Sequence, residues 1–254
     1  MRWFLGLITL CMAAVVAASF YASGSVGQVP AVSDLIRTAV SAVGRLSEPV
    51  PVQRAPLADR LRAGGFAAGQ PVFLRLFKQD SALELWMRDQ SGWRLFETYP
   101  ICRWSGTLGP KQAEGDLQAP EGVYTVAASQ LNPASRYHLA MNIGYPNGFD
   151  RSRRRTGSAI MIHGNCVSIG CFAMTDAGID DIYGLTEAAL KAGQGAVPVH
   201  IFPFRMTAEN FESHRASPWK EFWQDLKHVH DAFEDTRKIP NVRIENARYV
   251  MGRG

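Results

Sequence analysis

The chain has 254 residues, of which 46% are hydrophobic and 20% are charged, the composition of a globular protein with a substantial core. This length suits one domain of ordinary size with extensions. The net charge of +4 comes without a basic helix or an aromatic-basic module, so nucleic acid is not an expected partner. Neither a P-loop nor a GxGxxG fingerprint is present, and ATP- or NAD-dependent chemistry with a bound cofactor is therefore not expected.

The N-terminal segment 1–23 is a predicted targeting segment. Arg2 is followed by an uncharged, largely apolar run from Trp3 to Ala22, with small residues near Ala18. A short basic region, an apolar stretch and small residues are typical of a cleaved secretory signal. Because the run is close to the ~20 residues that span a bilayer, it also permits an uncleaved membrane anchor. Both alternatives predict that the rest of the protein is exported.

Residues 24–69 are predicted to be a spacer with short helices. The part from 24 to 56 is rich in Val, Ala, Ser and Pro, a composition typical of linkers. Short helices are predicted over Val32–Leu46 and Leu57–Ala63, and Gly64 with Gly65 would end the second one.

Residues 70–205 are predicted to form a mainly β domain of sandwich or barrel type. Short apolar runs are separated by loops with Gly, Pro and Asp, which is the pattern of many short strands. Helical spacing over Asp176–Ala192 adds one helix packed on the sheet, which makes the class α+β. The predicted strands are Val72–Phe77, Leu83–Met87, Trp93–Tyr99, Val123–Ala127, Tyr137–Ile143, Ala159–Ile162 and Val197–Phe202.

Residues 206–254 are predicted to be a C-terminal helix followed by an extended arm, both packed on the domain. Apolar residues recur at spacings of three and four from Trp219 to Phe233, which indicates an amphipathic helix of roughly 20 residues. The segment Val242–Val250 is predicted to be a final strand or extended arm.

The segment Ile160–Cys171 carries the clearest chemical signal. It places His163 and Cys171 eight positions apart, with Gly164 after the histidine and Gly170 before the cysteine. A cysteine attacks as its thiolate, which a nearby imidazole can generate and hold as an ion pair. Glycine before a nucleophile allows a sharp turn and brings backbone N–H groups close to a reacting carbonyl. The segment therefore predicts a nucleophile, its base and an oxyanion hole on one strand–loop unit.

The cysteine count supports a free thiol. If export removes Cys11, three cysteines remain, and an odd number in an oxidising compartment leaves at least one unpaired. The simplest hypothesis is a free, reactive Cys171, with Cys102 and Cys166 either paired or buried. A zinc site formed by His163, Cys166 and Cys171 is the metal alternative, but this spacing matches no common zinc pattern. No metal is therefore expected.

The segment from His163 to Cys171 resembles the active-site motif of the L,D-transpeptidases with a YkuD-type catalytic domain. The usual motif is His-Gly, a spacer and Ser-His-Gly-Cys. The shorter spacer, and Ile169 where the family usually has histidine, resemble the YafK-like branch. The resemblance covers roughly residues 70–205. It is also carried by segments 99–102, 115–122, 142–147 and 197–203.

The resemblance implies a role for each residue of the motif. Cys171 would be the nucleophile and His163 the general base and acid, while the Gly164 carbonyl would orient the imidazole as the third group of a triad. The backbone N–H groups of Ile169, Gly170 and Cys171 are candidates for the oxyanion hole.

Several further residues are candidates for substrate contact. Phe172-Ala173-Met174 replaces the family's Ile-Arg-Met/Leu, so an arginine near the nucleophile is missing and other cations would have to meet substrate carboxylates. Ser168 matches the family's serine and is expected to support the loop. The complete set of substrate-binding candidates is Ser168, Tyr145, Asn147, Lys111, Asp116, Arg151 and Arg205.

The resemblance implies an exported, cysteine-dependent peptidoglycan L,D-transpeptidase of the periplasm. It would act on meso-diaminopimelate stem peptides through a thioester acyl-enzyme, in cell-wall biogenesis, remodelling and cell shape. If water replaces the acceptor amine, the enzyme would be an L,D-endopeptidase or amidase-like hydrolase that cleaves cross-links or releases a wall-attached outer-membrane protein. A wall-binding module without activity is the alternative from another class. The N-terminal run leaves an inner-membrane anchor open.

Overall fold

The computed structural model describes residues 54–252. The predicted targeting segment, most of the predicted spacer and the predicted helix Val32–Leu46 lie outside the described residues. Among the residues that are described, no helix is both long enough and apolar enough to cross a membrane. The helices are α1 (Leu57–Gly64), α2 (Gly148–Ser152), α3 (Asp176–Lys191), α4 (Ala208–Ser213) and α5 (Lys220–Thr236).

Within residues 54–252, nine strands form one mixed sheet, and two more form a separate hairpin. The order in the large sheet is β4-β9-β1-β2-β3-β8-β7-β6-β5. The strands are β1 (Val72–Phe77), β2 (Ala82–Asp89), β3 (Gly92–Trp104), β4 (Gly122–Val126), β5 (Leu131–Ser135), β6 (His138–Asn142), β7 (Met161–His163), β8 (Phe172–Met174), β9 (Val197–Phe202), β10 (Val242–Glu245) and β11 (Arg248–Met251).

The long strand β3 connects the two halves of the sheet, because it pairs with β2 in its first part and with β8 in its second. Two neighbouring pairs, β1–β9 and β7–β8, are parallel. The parallel pair β7–β8 brings the two ends of the His163–Cys171 segment side by side. The predicted mainly β, α+β class is confirmed.

Strand β1 explains why helices cover both faces of the first half of the sheet. All six of its residues are buried, and successive side chains of a strand point to opposite faces. Leu74 and Leu76 belong to the core that contains the apolar residues of α3. Phe73 and Phe77 belong instead to the clusters that contain the apolar residues of α5. The sheet is therefore sandwiched between α3 and the C-terminal helix.

Helix α3 begins and ends close to the predicted limits. Thr175 accepts a hydrogen bond from the N–H of Gly178 at 3.0 Å and so caps the start of the helix. Gly193 follows the end of the helix with φ 105°, a conformation that favours glycine.

The C-terminal helix α5 buries the predicted aromatic and aliphatic stripe, which includes Phe222, Trp223 and Phe233. The segment Val242–Val250, predicted to be a final strand or extended arm, lies in a hairpin of two short strands, β10 and β11. Asn246 and Ala247 have φ values of 50° and 55°, and two left-handed residues in succession are the geometry of a tight hairpin turn.

Strands β5 and β8 are absent from the strands predicted by the sequence. Strand β5 lies at the sheet edge and contains Pro133, which lacks the N–H that an interior strand needs. Strand β8 has three residues, too few for an alternating pattern.

Candidate active site

Strands β7 and β8 place the thiol of Cys171 and the imidazole of His163 on the same face of the sheet. The parallel register pairs Ile162 with Phe172 and His163 with Ala173. One step earlier the register sets Cys171 beside Met161, whose N–H lies 3.4 Å from the Cys171 Sγ. Met161 and His163 are two apart on β7 and share a face, so the extended register puts Cys171 on the side of the sheet that carries His163.

The imidazole of His163 is buried and fixed in one tautomer. Its Nδ1 lies 2.7 Å from the carbonyl oxygen of Gly164, and a carbonyl can only accept, so Nδ1 carries the proton. No group within residues 54–252 hydrogen-bonds the other ring nitrogen, Nε2. The side chain is 3% exposed, and burial lowers the pKa of His163 below its usual value. The ring is therefore neutral at pH 7, with Nε2 able to accept a proton.

Gly164 is required by the packing around it. A Cβ at this position would lie 2.6 Å from the Asp176 Oδ1 and 3.1 Å from the His138 Cβ. The Gly164 N–H donates to the carbonyl of Tyr137 at 3.0 Å, and the Asn165 N–H donates to Asp176 at 2.7 Å. The loop after the histidine is thus seated on the start of α3 and on the β5–β6 turn.

Tyr137 covers the imidazole, a contact that the sequence analysis missed. Its ring centroid lies 4.8 Å from that of His163, and the two rings are tilted by 36°. Tyr137 is 46% exposed whereas His163 is buried, so the tyrosine lies between the imidazole and solvent. No spacing in the sequence links residues 137 and 163, because the contact depends on the pairing of β6 with β7.

Cys171 is the free cysteine of the described residues. Its Sγ lies 3.7 Å from the carbonyl oxygen of Ala159 in addition to the contact with the Met161 N–H. Burial raises the pKa of the thiol, and the Met161 N–H and the positive charge of Lys111 offset part of that increase. A raised thiol pKa beside a lowered imidazole pKa favours a neutral thiol and a neutral ring at rest. The resting ion pair expected from the sequence is therefore not favoured.

Cys102 and Cys166 form a disulfide, the paired alternative of the two that the sequence left open. Cys102 lies where the register between β3 and β8 shifts between Ile101 and Arg103. Cys166 lies in the loop between His163 and Cys171, so the bond attaches this loop to the central strand. The sulfur of Cys166 is consumed in the bond, and the zinc site that required it is wrong.

One of the three backbone N–H groups predicted for the oxyanion hole, that of Gly170, already has an acceptor in the structure. Gly170 has φ 99°, a left-handed conformation that glycine adopts easily. Its N–H donates to the hydroxyl of Ser105, a residue that the sequence analysis did not consider, so this N–H is already engaged. The Ser168 hydroxyl donates to the Cys171 carbonyl at 2.7 Å and holds the nucleophile's backbone, while the Ile169 side chain is 77% exposed.

Lys111 and Asp116 form an ion pair near the thiol. The Lys111 Nζ lies 2.5 Å from the Asp116 Oδ1 and 2.8 Å from the carbonyl oxygen of Ala113. Tyr145 is buried beside them, and its hydroxyl donates to the carbonyl of Lys111 at 3.2 Å. Because the charge of Lys111 acts on Cys171, the fold brings this predicted contact residue to the site.

Asn147 and Arg205 have structural partners instead of the predicted substrate. Asn147 caps α2 and donates its amide to the carbonyl of Val123 at 2.7 Å and to the Tyr249 hydroxyl at 2.9 Å. Arg205 forms an ion pair with Glu84 on β2. Their polar groups are engaged by these partners in the structure, and their roles in substrate binding stay predictions.

Arg151 lies at the surface at the end of α2, where its guanidinium donates to the carbonyl of Pro146. This contact holds the α2 turn and does not bring Arg151 to the cysteine loop.

A mixed sheet that brings a free thiol and a neutral, oriented imidazole onto neighbouring strands has the general design of thiol-dependent acyl-transfer domains. A sequence model described as the L,D-transpeptidase catalytic domain, YkuD, matches residues 79–201. The chain is 48% identical over 185 residues to a protein of Escherichia coli K12 named "Putative L,D-transpeptidase YafK", covering 73% of this chain and 75% of that protein. The chain belongs to the L,D-transpeptidase catalytic-domain family.

Two solved structures show weaker likeness. The helical cell shape determining protein Pgp2 of Campylobacter jejuni has a TM-score of 0.42 at 16% identity, covering 75% of this chain and 81% of that chain. L,D-transpeptidase 1 of Mycobacterium tuberculosis has a TM-score of 0.29 at 13% identity, covering 54% of this chain and 64% of that chain. The family assignment rests on the sequence matches.

Proposed function

We propose that this protein is an exported, cysteine-dependent L,D-transpeptidase of the cell wall, with Cys171 as nucleophile and His163 as general base. The observation that carries the proposal is the fixed tautomer of His163. Its Nδ1 proton is held by the Gly164 carbonyl, so Nε2 is left to take a proton on the face where the thiol lies. Membership of the L,D-transpeptidase family supports stem peptides of peptidoglycan as the substrate class.

The first half-reaction forms a thioester. The thiol proton passes to Nε2 of His163 as Sγ of Cys171 attacks the carbonyl at the L-centre of meso-diaminopimelate. The C–S bond forms, the amide C–N bond breaks, and His163 returns the proton to the leaving amine. Burial raises the pKa of the thiol, so His163 is needed to take its proton for the attack at neutral pH.

The second half-reaction consumes the thioester. An acceptor amine gives up a proton to Nε2 and attacks the carbonyl. A new amide C–N bond forms, the C–S bond breaks, and His163 returns the proton to the Sγ of Cys171. Of the three proposed oxyanion donors, the N–H groups of Ile169 and Cys171 serve the developing negative charge, since the Gly170 N–H is engaged by Ser105.

The proposed location is the periplasm. The disulfide between Cys102 and Cys166 supports an oxidising compartment, where such bonds persist. The apolar run in segment 1–23 supports export, by a cleaved signal or with an inner-membrane anchor.

The test is mass spectrometry of muropeptides incubated with the full chain in non-reducing buffer, beside Cys171→Ala. The expected result is joined stem peptides that have lost a terminal D-residue, formed by the wild type and reduced by more than about 10⁴-fold in the variant. Cleaved products without joining would make the protein a hydrolase, including one that releases a wall-attached outer-membrane protein. Absence of turnover in both proteins would contradict the proposal and leave a wall-binding module.

A further inference from the structure

Lys111 is a buried ammonium close to the reactive thiol. It is 5% exposed, and its positive charge lowers the pKa of the Cys171 thiol, against the larger effect of burial. Residues 172–174, which follow the nucleophile, are buried and carry no charge. Lys111 is therefore a candidate to meet a negatively charged substrate group beside the attacked carbonyl.

The position of Lys111 is set by the segment that also holds the thiol. A Cβ on Gly157 would lie 2.8 Å from the Lys111 Cε, so the lysine stem packs directly on this glycine. Gly157 has φ 127°, a conformation that excludes most side chains. Two residues later, the Ala159 carbonyl lies 3.7 Å from the Cys171 Sγ. The lysine stem and the thiol thus pack against the same short stretch of chain.

The ion pair with Asp116 leaves the ammonium with unused capacity. The Asp116 carboxylate also accepts hydrogen bonds from the N–H groups of Gln112, Ala113 and Gln118, at 2.7, 3.0 and 3.0 Å. Its negative charge is therefore shared among four donors. An ammonium has three N–H donors, and within residues 54–252 two of those on Lys111 have acceptors, the Asp116 carboxylate and the Ala113 carbonyl.

We propose that the third N–H of Lys111 binds a carboxylate of the donor stem peptide and makes Lys111 a specificity-determining residue. The inference rests on the proposed function. Two carboxylates flank the attacked carbonyl, one on the terminal D-residue and one on the D-centre of diaminopimelate. A charge-assisted hydrogen bond from a poorly hydrated ammonium fixes the peptide and aligns the carbonyl with Cys171.

The experiment measures binding, so that it does not depend on turnover. Calorimetry with the full chain carrying Cys171→Ala gives the Kd of four stem peptides. One has free carboxylates, and the others are amidated at the terminal D-residue, at diaminopimelate, or at the preceding glutamyl residue. The same four titrations are repeated after adding Lys111→Met or Lys111→Arg. The matched control is Lys227→Met, which removes the lysine of the Lys227–Asp231 ion pair on α5.

The expected result is a Kd raised about 10- to 100-fold by one of the two flanking amides, and by Lys111→Met with the free peptide. Combining the sensitive amide with Lys111→Met raises Kd no further than either change alone. Lys111→Arg keeps most of the binding. Lys227→Met leaves Kd unchanged.

The inference would be overturned if amidation weakened binding equally with and without Lys111. It would also be overturned if only the glutamyl amide weakened binding, or if no peptide bound at all. An unfolding curve of Lys111→Met shows whether the variant folds, and the Lys111→Arg arm carries the test if it does not. Failure of the proposed function is a separate result, namely intact binding without turnover by the wild-type chain.

Discussion

Two buried polar clusters in this protein differ in how completely their hydrogen bonds are used. In one, the fully buried Lys78 donates to the carbonyls of Gly109 and Ala119 at 2.8 and 2.9 Å and to Glu121 at 3.0 Å, which uses all three of its N–H groups. In the other, His163 has one ring nitrogen bonded to Gly164 and the other left to accept a proton. A cluster in which every N–H group has an acceptor, such as that of Lys78, stabilises the fold. A cluster that keeps an unpaired acceptor near a thiol, such as that of His163, can take part in proton transfer.

The saturated cluster also explains why the C-terminal helix matters to the site. Glu121 accepts from the Gly109 N–H at 2.6 Å and from the Trp223 Nε1 of α5 at 2.7 Å. These bonds attach the loop 105–121, which carries Lys111, to a helix that lies beyond the residues matched by the family's sequence model. Helix α5 therefore helps to position the loop 105–121 without contributing a reactive group to the candidate site.

The largest expected effect comes from His163→Gln, which removes the proton acceptor and keeps a polar side chain. Turnover at pH 7 should fall about 10²- to 10⁴-fold, the usual contribution of a general base. Burial lowers the pKa of His163 below 6.5 and raises that of the Cys171 thiol above 9.0. Wild-type kcat/KM should therefore stay level between these values and fall as acid protonates the imidazole.

The pH profile of the variant separates a base from a structural histidine. Without His163, the rate should depend on spontaneous thiolate and rise about tenfold per pH unit towards the thiol pKa, so that alkali restores part of the loss. Alkylation of wild-type Cys171 by iodoacetamide should have its midpoint above pH 9. A level profile in His163→Gln would contradict the role of His163 as the base. An alkylation midpoint below pH 7 in the wild type would show that a resting ion pair operates.

The next effect is on stability and comes from the disulfide. Replacing Cys102 and Cys166 by serine should lower the free energy of unfolding by roughly 4 kcal/mol, since the bond closes a long loop. Cys102 and Cys166 are separated by 64 positions in the sequence. Urea unfolding measures the change, and Cys171→Ser, which keeps the disulfide, is the control. If the double variant loses no more unfolding free energy than Cys171→Ser, the disulfide does not stabilise the attachment of the loop between His163 and Cys171 to β3.

The smallest effect tests the saturated cluster. Trp223→Phe keeps an aromatic ring but removes the N–H that satisfies the buried Glu121 carboxylate, at a cost of about 1–3 kcal/mol in unfolding free energy. Trp219→Phe is the matched control, because its Nε1 has no hydrogen-bond acceptor within the part of the chain that the structure describes, and a smaller loss is expected. Equal losses in the two variants would show that ring packing, and not the hydrogen bond, joins α5 to the loop.

Local patterns predicted most of the elements. The six-residue strand β1 and the helix α3 follow from an apolar run and from helical spacing, and both signals act over a few residues. The hairpin β10–β11 and the edge strand β5 were missed, because short polar strands carry little periodic signal. The contacts of Ser105 with Gly170 and of Tyr137 with His163 join residues 65 and 26 positions apart, which no local pattern encodes.

The sequence by itself was enough to predict a cysteine nucleophile and a histidine base. The pairs His163–Gly164 and Gly170–Cys171 lie close enough along the chain to form one recognisable segment. The sequence also left Cys102 and Cys166 open between pairing and burial. Only the tertiary structure decided that they pair, and which partners Arg205, Asn147 and Lys111 have. Burial and distant partners set pKa values and hydrogen bonds, and both depend on which strands become neighbours.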